Sequence, residues 1–142
     1  MKFRPFFFCF ISVFLFSCVT INTQLPENAT AEEMFFHAQV QQGQIKTKKD
    51  NEAVIELFQT VADRFPEYKA IGIECRYEIA YVLYRQKKYR DAEDAFYGIL
   101  RYYETNDSEV LPDWPKTLSE LMIGKIEEKT KPKEKSKPKK GR

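Results

Sequence analysis

The chain has 142 residues, with 23 Lys and Arg against 21 Asp and Glu, a formal net charge of +2, and 43% hydrophobic residues. A length of this order holds one hydrophobic core and would crowd two. Its three cysteines, Cys9, Cys18 and Cys75, are too few and too scattered for a disulfide scaffold or a thiolate metal site.

Lys2 and Arg4 open the chain with positive charge, and Phe6 to Val19 follows almost without a polar side chain. At about 1.5 Å per residue this run spans about 21 Å as a helix, short of the roughly 30 Å hydrocarbon core of a bilayer. The length and the flanks therefore predict the hydrophobic region of an export signal. Leu15-Phe16-Ser17-Cys18 resembles the lipobox read by lipoprotein signal peptidase, with a small residue just before the cysteine and a bulkier residue than usual at Phe16. The resemblance implies a signal peptide over residues 1–17 and lipid attachment at Cys18. An ordinary cleaved signal and an uncleaved anchor are the alternatives.

Cleavage before Cys18 removes Lys2 and Arg4 and leaves 21 basic and 21 acidic side chains. The balance hides an asymmetry. Cys18 to Gly124 holds 12 basic and 18 acidic residues, a net charge of −6, whereas Lys125 to Arg142 holds 9 basic and 3 acidic, a net charge of +6. Only Cys75 is then left with a thiol, so an intramolecular disulfide is excluded and packing alone must hold the fold. A small buried residue on a helix face is the expected role of Cys75.

A linker over residues 18–30, with Pro26, leads to a first helix over about Ala31 to Gln44, capped by Thr30 with Glu32 and Glu33 in its first turn. Gln44 to Asn51 reads as a lysine-rich turn. Asp50 is the expected cap of a second helix that ends at Phe65, before Pro66, with Val54, Leu57, Phe58, Val61, Ala62 and Phe65 on one face. A third helix over about Ala70 to Lys88 carries two stripes, Cys75, Ile79 and Leu83 on one and Tyr77, Tyr81 and Tyr84 on the other, and should sit centrally. The fourth, about Arg90 to Tyr103, places Ala92, Ala95, Phe96, Ile99, Leu100 and Tyr103 along one face. A loop over Asn106 to Trp114 precedes a fifth helix opened by Pro115, whose expected apolar face is Leu118, Leu121, Met122 and Ile126. No alternating run is long enough for a strand, so the expected class is all-α, about five antiparallel helices over residues 31–130.

The apolar faces of the second and fourth helices match at a constant offset of 38: Val54 with Ala92, Phe58 with Phe96, Val61 with Ile99, Ala62 with Leu100, Phe65 with Tyr103. Ala38 and Ala80, 42 apart, pair the first and third. Two helix-turn-helix units and a capping helix follow as the economical reading. The stretch Ile79-Ala80, Tyr89, Ala92, Phe96 and Ile99-Leu100 resembles the tetratricopeptide repeat. Val54, Phe58 and Pro66 form a weaker first copy, and Arg76 and Lys87 depart from the pattern. With a lipid anchor in front, the chain looks most like the BamD-type lipoproteins of the outer-membrane β-barrel assembly machinery, and is similar to periplasmic repeat proteins that act near the envelope during division. It has room for two repeats only, fewer than those chains carry.

The resemblance implies an adaptor that faces the periplasm from the outer membrane and binds a protein or peptide partner, including β-barrel assembly components. It implies a concave groove lined by the first helix of each unit: Tyr77, Tyr81, Tyr84 and Arg85, with Phe35 and Gln39 as weaker counterparts. Packing of the tyrosines against the first and fifth helices is the competing reading. Catalytic chemistry is not expected. His37 is the only histidine, glycines Gly43, Gly72, Gly98 and Gly124 stand singly, and Asp91, Glu93 and Asp94 suit a helix N-terminus. No cofactor, metal or nucleic acid is expected.

Residues 131–142 hold seven positive charges, one negative, two prolines and no apolar side chain, which predicts a disordered basic tail. Attraction to anionic headgroups, acidic wall polymer or an acidic partner, or mere solubility, are its open roles. A structural lipoprotein whose tail bridges membrane and cell wall is the second functional expectation.

Overall fold

A computed structural model describes residues 21–25, 27–106 and 110–131. The lipobox with Cys18, the signal before it, Pro26 and the tail from Pro132 onward lie outside the described residues. Five helices occur in them and no strand: α1 (Ala31–Gln42), α2 (Lys48–Arg64), α3 (Lys69–Arg85), α4 (Tyr89–Thr105) and α5 (Trp114–Thr130). The protein is all-α.

Local chemistry sets the helix starts. At α1, Glu33 N–H donates to Thr30 Oγ1 (3.2 Å) and Thr30 N–H donates to Glu33 Oε2 (2.9 Å), a reciprocal capping box. The second helix begins two residues before its expected cap. Thr47 caps it by accepting from Asp50 N–H (3.2 Å), while the Asp50 carboxylate accepts from the N–H groups of Thr47 (2.8 Å) and Lys46 (2.9 Å). Those backbone donors hold the Asp50 carboxyl below its usual range. Pro115 sits within the first turn of α5, one residue after its opening Trp114.

Each helix packs on the next, and short turns make such neighbours antiparallel. Two buried clusters result. Met34, Ala38, Val54, Leu57, Phe58, Val61, Cys75 and Val82 join α1, α2 and one side of α3. Ile73, Tyr77, Ala80, Ala92, Phe96, Ile99, Met122, Ile123 and Ile126 join the other side of α3 to α4 and α5. The third helix is central, as its two stripes require, but Leu83 belongs to the second cluster and Val82 takes its place beside Cys75. Steps of four advance about 40° past a full turn, so two of them carry Leu83 off the Cys75 face, whereas seven residues return Val82 close to it.

The face of α5 is also rotated from the expected one. Pro115, Ser119, Met122, Ile123 and Ile126 are buried, while Leu118 and Leu121 are 36% and 51% exposed. Ser119 lies inside at no cost in lost hydrogen bonds because its hydroxyl donates to the Pro115 carbonyl (2.6 Å).

The segment before α1 is not a free spacer. Ile21, Leu25 and Ala29 pack on the first cluster. Asn22 N–H donates to Gln41 Oε1 (2.9 Å), the Asn22 carbonyl meets His37 Nε2 (3.0 Å), and Arg64 donates to the Glu27 carbonyl. The chain therefore enters beside the C-terminal half of α1 and runs back along it to Thr30.

Candidate functional site

The odd-numbered helices lie in a row, α1 against α3 and α3 against α5, while α1 and α5 do not meet, nor do α2 and α4. Contact along the odd row and separation along the even one make the odd row the inner, tighter side. A strip of α3 is thus left open between α1 and α5.

Two carboxylates mark this strip. Gln42 of α1 donates to Glu78 Oε2 (2.8 Å), and the Trp114 indole of α5 donates to Glu74 Oε1 (3.3 Å). Glu74 and Glu78 stand one turn apart and half-buried, and burial first, then the neighbouring Glu78 charge, raises the Glu74 carboxyl above its ordinary range. Tyr81 and Arg85 continue the same face at spacings of three and four. The strip therefore has an acidic end and, about 10 Å further along α3, a basic one at the exposed Arg85.

The tyrosine stripe expected to line the groove is split by depth. Tyr77 is only 7% exposed and belongs to the core, tilted against Phe96 (5.7 Å), edge-on to Trp114 (5.0 Å) and stacked on Tyr81 (6.3 Å). Burial, with smaller contributions from Glu78 and Tyr81, pushes its hydroxyl up to about 12. Its groove role is thereby corrected to a packing one. Tyr81 and Tyr84 are half-buried and stacked (6.3 Å), and Tyr84 tilts against Tyr89 of α4 (5.8 Å). The Lys129 ammonium lies 4.8 Å from the Tyr84 ring centre and 5.7 Å from that of Tyr89. The stripe thus packs against α4 and α5 rather than α1. In the first unit Phe35 is half-buried against Phe58 (5.8 Å), and Gln39 is half-buried.

Glu74, Glu78, Gln42 and Trp114 were not legible as site residues. Their one sequence signal is a pair of carboxylates at i and i+4 on a helix with apolar or aromatic side chains on more than one side. Elsewhere, a cleft of about 280 Å³ opens on the outer side between the ends of α2 and α4, with Phe65, Ile73 and Tyr102 in its walls and Asp63 and Arg76 at its charged edge. Arg76 lies over the Tyr102 ring at 5.0 Å. Among the described residues no three His, Cys, Asp or Glu side chains converge as a metal site, and no helix is long and apolar enough to cross a membrane.

No family model matches the chain, and no solved structure matches it significantly. It is similar to an uncharacterized protein of Treponema pallidum (strain Nichols), 31% identical over 103 residues that cover 70% of this chain and 39% of that protein. The chain spans about two fifths of the length of the relative it matches.

Proposed function

We propose that this is a lipid-anchored adaptor of the cell envelope, built on two tetratricopeptide-like units, whose inner strip holds an extended segment of a partner protein. The observation that carries the reading is the repeated core. Val54, Phe58 and Val61 of α2 and their counterparts Ala92, Phe96 and Ile99 of α4, 38 residues on, are all buried at 0 to 1% exposure. Stacked helical hairpins of this kind present an inner surface suited to extended peptides. An acidic end and a basic end on one strip fix the direction of such a peptide: a lysine or arginine at Glu74 and Glu78, a carboxylate at Arg85. The lipobox at Cys18 supports the placement at a membrane, with β-barrel assembly components as the partners to look for.

The test is affinity capture from detergent-solubilised membranes with the full chain as bait. Capture of β-barrel assembly components, lost in Glu74→Gln/Glu78→Gln and in Arg85→Glu, is the expected result. Recovery of wall fragments instead, unaffected by those substitutions, would replace the adaptor with a structural tether.

A further inference from the structure

The two exposed apolar side chains of α1 share a face that no described residue covers. Phe36 is 65% exposed and Val40, one turn on, is 41% exposed, although α1 buries Ala31, Met34, Ala38 and Gln41 on its opposite side. Just past the C-terminal end of α1, Lys46, Lys48 and Lys49 are all exposed. Asp50 next to them has its carboxylate turned into the α2 capping box, so its charge is directed at backbone N–H groups, and Glu52 stands on the following turn.

The N-terminal segment reaches the same end of the molecule. Asn22 is bonded to His37 and Gln41, which places Ile21 beside the last turns of α1. Three peptide units separate Ile21 from Cys18, a reach of about 11 Å at full extension. A bilayer holding lipid on Cys18 is therefore within reach of the C-terminal end of α1, where Val40 and the three lysines lie.

We propose that this end of the molecule, the Phe36–Val40 face of α1 with Lys46, Lys48 and Lys49, is a second membrane contact that seats the domain on anionic headgroups beside its anchor. Phe36 and Val40 enter the interfacial layer while the lysines meet phosphate groups, each lysine contributing about fivefold to the attraction. The lipid acts then as a tether and this face as a seat, which fixes how the domain stands on the membrane. The inference rests on acylation of Cys18.

The experiment uses the full chain, exported, acylated and reconstituted into phosphatidylethanolamine vesicles with or without phosphatidylglycerol. Val40→Cys carries an environment-sensitive fluorophore, and Tyr97→Cys, on α4, serves as the control. The native Cys75 is buried and its thiol is pushed up to about 12, so it stays unlabelled. Expected are a blue-shifted emission and protection from aqueous iodide at position 40 but not at 97. Phe36→Ser, or Lys46→Glu/Lys48→Glu/Lys49→Glu on phosphatidylglycerol vesicles, should return position 40 toward water. Water-like emission at position 40 in an acylated, vesicle-bound chain overturns this inference alone, and means that another protein or nothing covers the face. A mass for the N-terminal peptide without acyl groups overturns the anchor and this inference together.

Discussion

Lys87 adopts φ of 62°, the only residue other than glycine with positive φ among those described. The turn from α3 to α4 needs it, because Lys87 N–H donates to the Tyr84 carbonyl (2.9 Å) and Lys88 N–H to that of Leu83 (3.1 Å), closing the helix end in a left-handed cap. A side chain with a Cβ is disfavoured there by about 1–2 kcal/mol, partly offset by the extra freedom glycine has when unfolded. Lys87→Gly should therefore stabilise the protein by up to about 1 kcal/mol, read as a higher urea midpoint with unchanged slope.

Two buried ionisable groups set the alkaline limit. Cys75 goes from its ordinary 9.0 to about 12, chiefly through burial, and Tyr77 from 10.0 to about 12 for the same reason. Both bind their proton more tightly folded than unfolded, so the unfolded chain ionises first and stability falls as pH rises through this range. Melting temperature should hold up to about pH 9 and then decline toward pH 12. Cys75→Ala should delay the onset to about pH 10, and an onset unmoved by that substitution would place the titrating group elsewhere.

At the scale of helices, the periodicity of the sequence carried the number and type of elements but not every face. The 38-residue offset pairs residues of equivalent depth, Val54, Phe58 and Val61 with Ala92, Phe96 and Ile99 buried and the other two pairs partly so, because the fourth helix repeats the second nearly position for position. The expected face of α5 differs from the observed one because side-chain type and spacing disagree there: Leu118 and Leu121 are apolar but lie outward, while Ser119 lies inward. The register of α3 resolves this at an offset of 42. Ile73, Tyr77, Ala80, Tyr81 and Tyr84 all touch the second cluster, and Pro115, Ser119, Met122, Ile123 and Ile126 of α5 are buried at the corresponding positions. The last helix thus sits as a first helix of a further unit would, which is how it closes the row. The inner strip was hidden for a different reason. Glu74 and Glu78 are defined by partners on α1 and α5, 36 and 40 residues away in sequence, which no local pattern encodes.

Two substitutions on α5 separate spacing from residue type. Ile126→Ala empties a fully buried site and should cost about 2–5 kcal/mol, whereas Leu121→Ser, half-exposed, should stay within about 0.5 kcal/mol. Truncation after Thr130 should leave the melt nearly unchanged, and truncation after Pro112 should lower it sharply by uncovering Tyr77 and Phe96. Tyr77→Ala should cost about 3 kcal/mol or more. Tyr81→Ala, half-buried, should cost less and reduce partner capture about tenfold by removing contact area from the strip.

For the whole molecule, the proposed anchor matters through its short distance in sequence from the domain. A free spacer of the expected thirteen residues, 18–30, would let the domain drift several tens of ångströms from the bilayer. Ile21, Leu25 and Ala29 are instead packed and Asn22 is hydrogen-bonded, so the described contacts of the domain begin three residues after Cys18. Under the proposed acylation the anchor would act on orientation as well as on location, because the domain's described contacts begin only three residues after Cys18. Cys18→Ala should remove the proposed lipid and leave every described contact intact. Each buried methylene contributes about 0.8 kcal/mol to membrane attachment, so a single acyl chain is marginal and several hold firmly. The variant should leave the membrane fraction, as a soluble exported protein or an uncleaved precursor, with helical circular dichroism and melting temperature unchanged for the soluble form. Labelling with radioactive fatty acid and detergent partitioning measure the first effect. Label that persists on Cys18→Ala would show that the lipid sits elsewhere, and the orientation argued from residues 18–20 would fall with it.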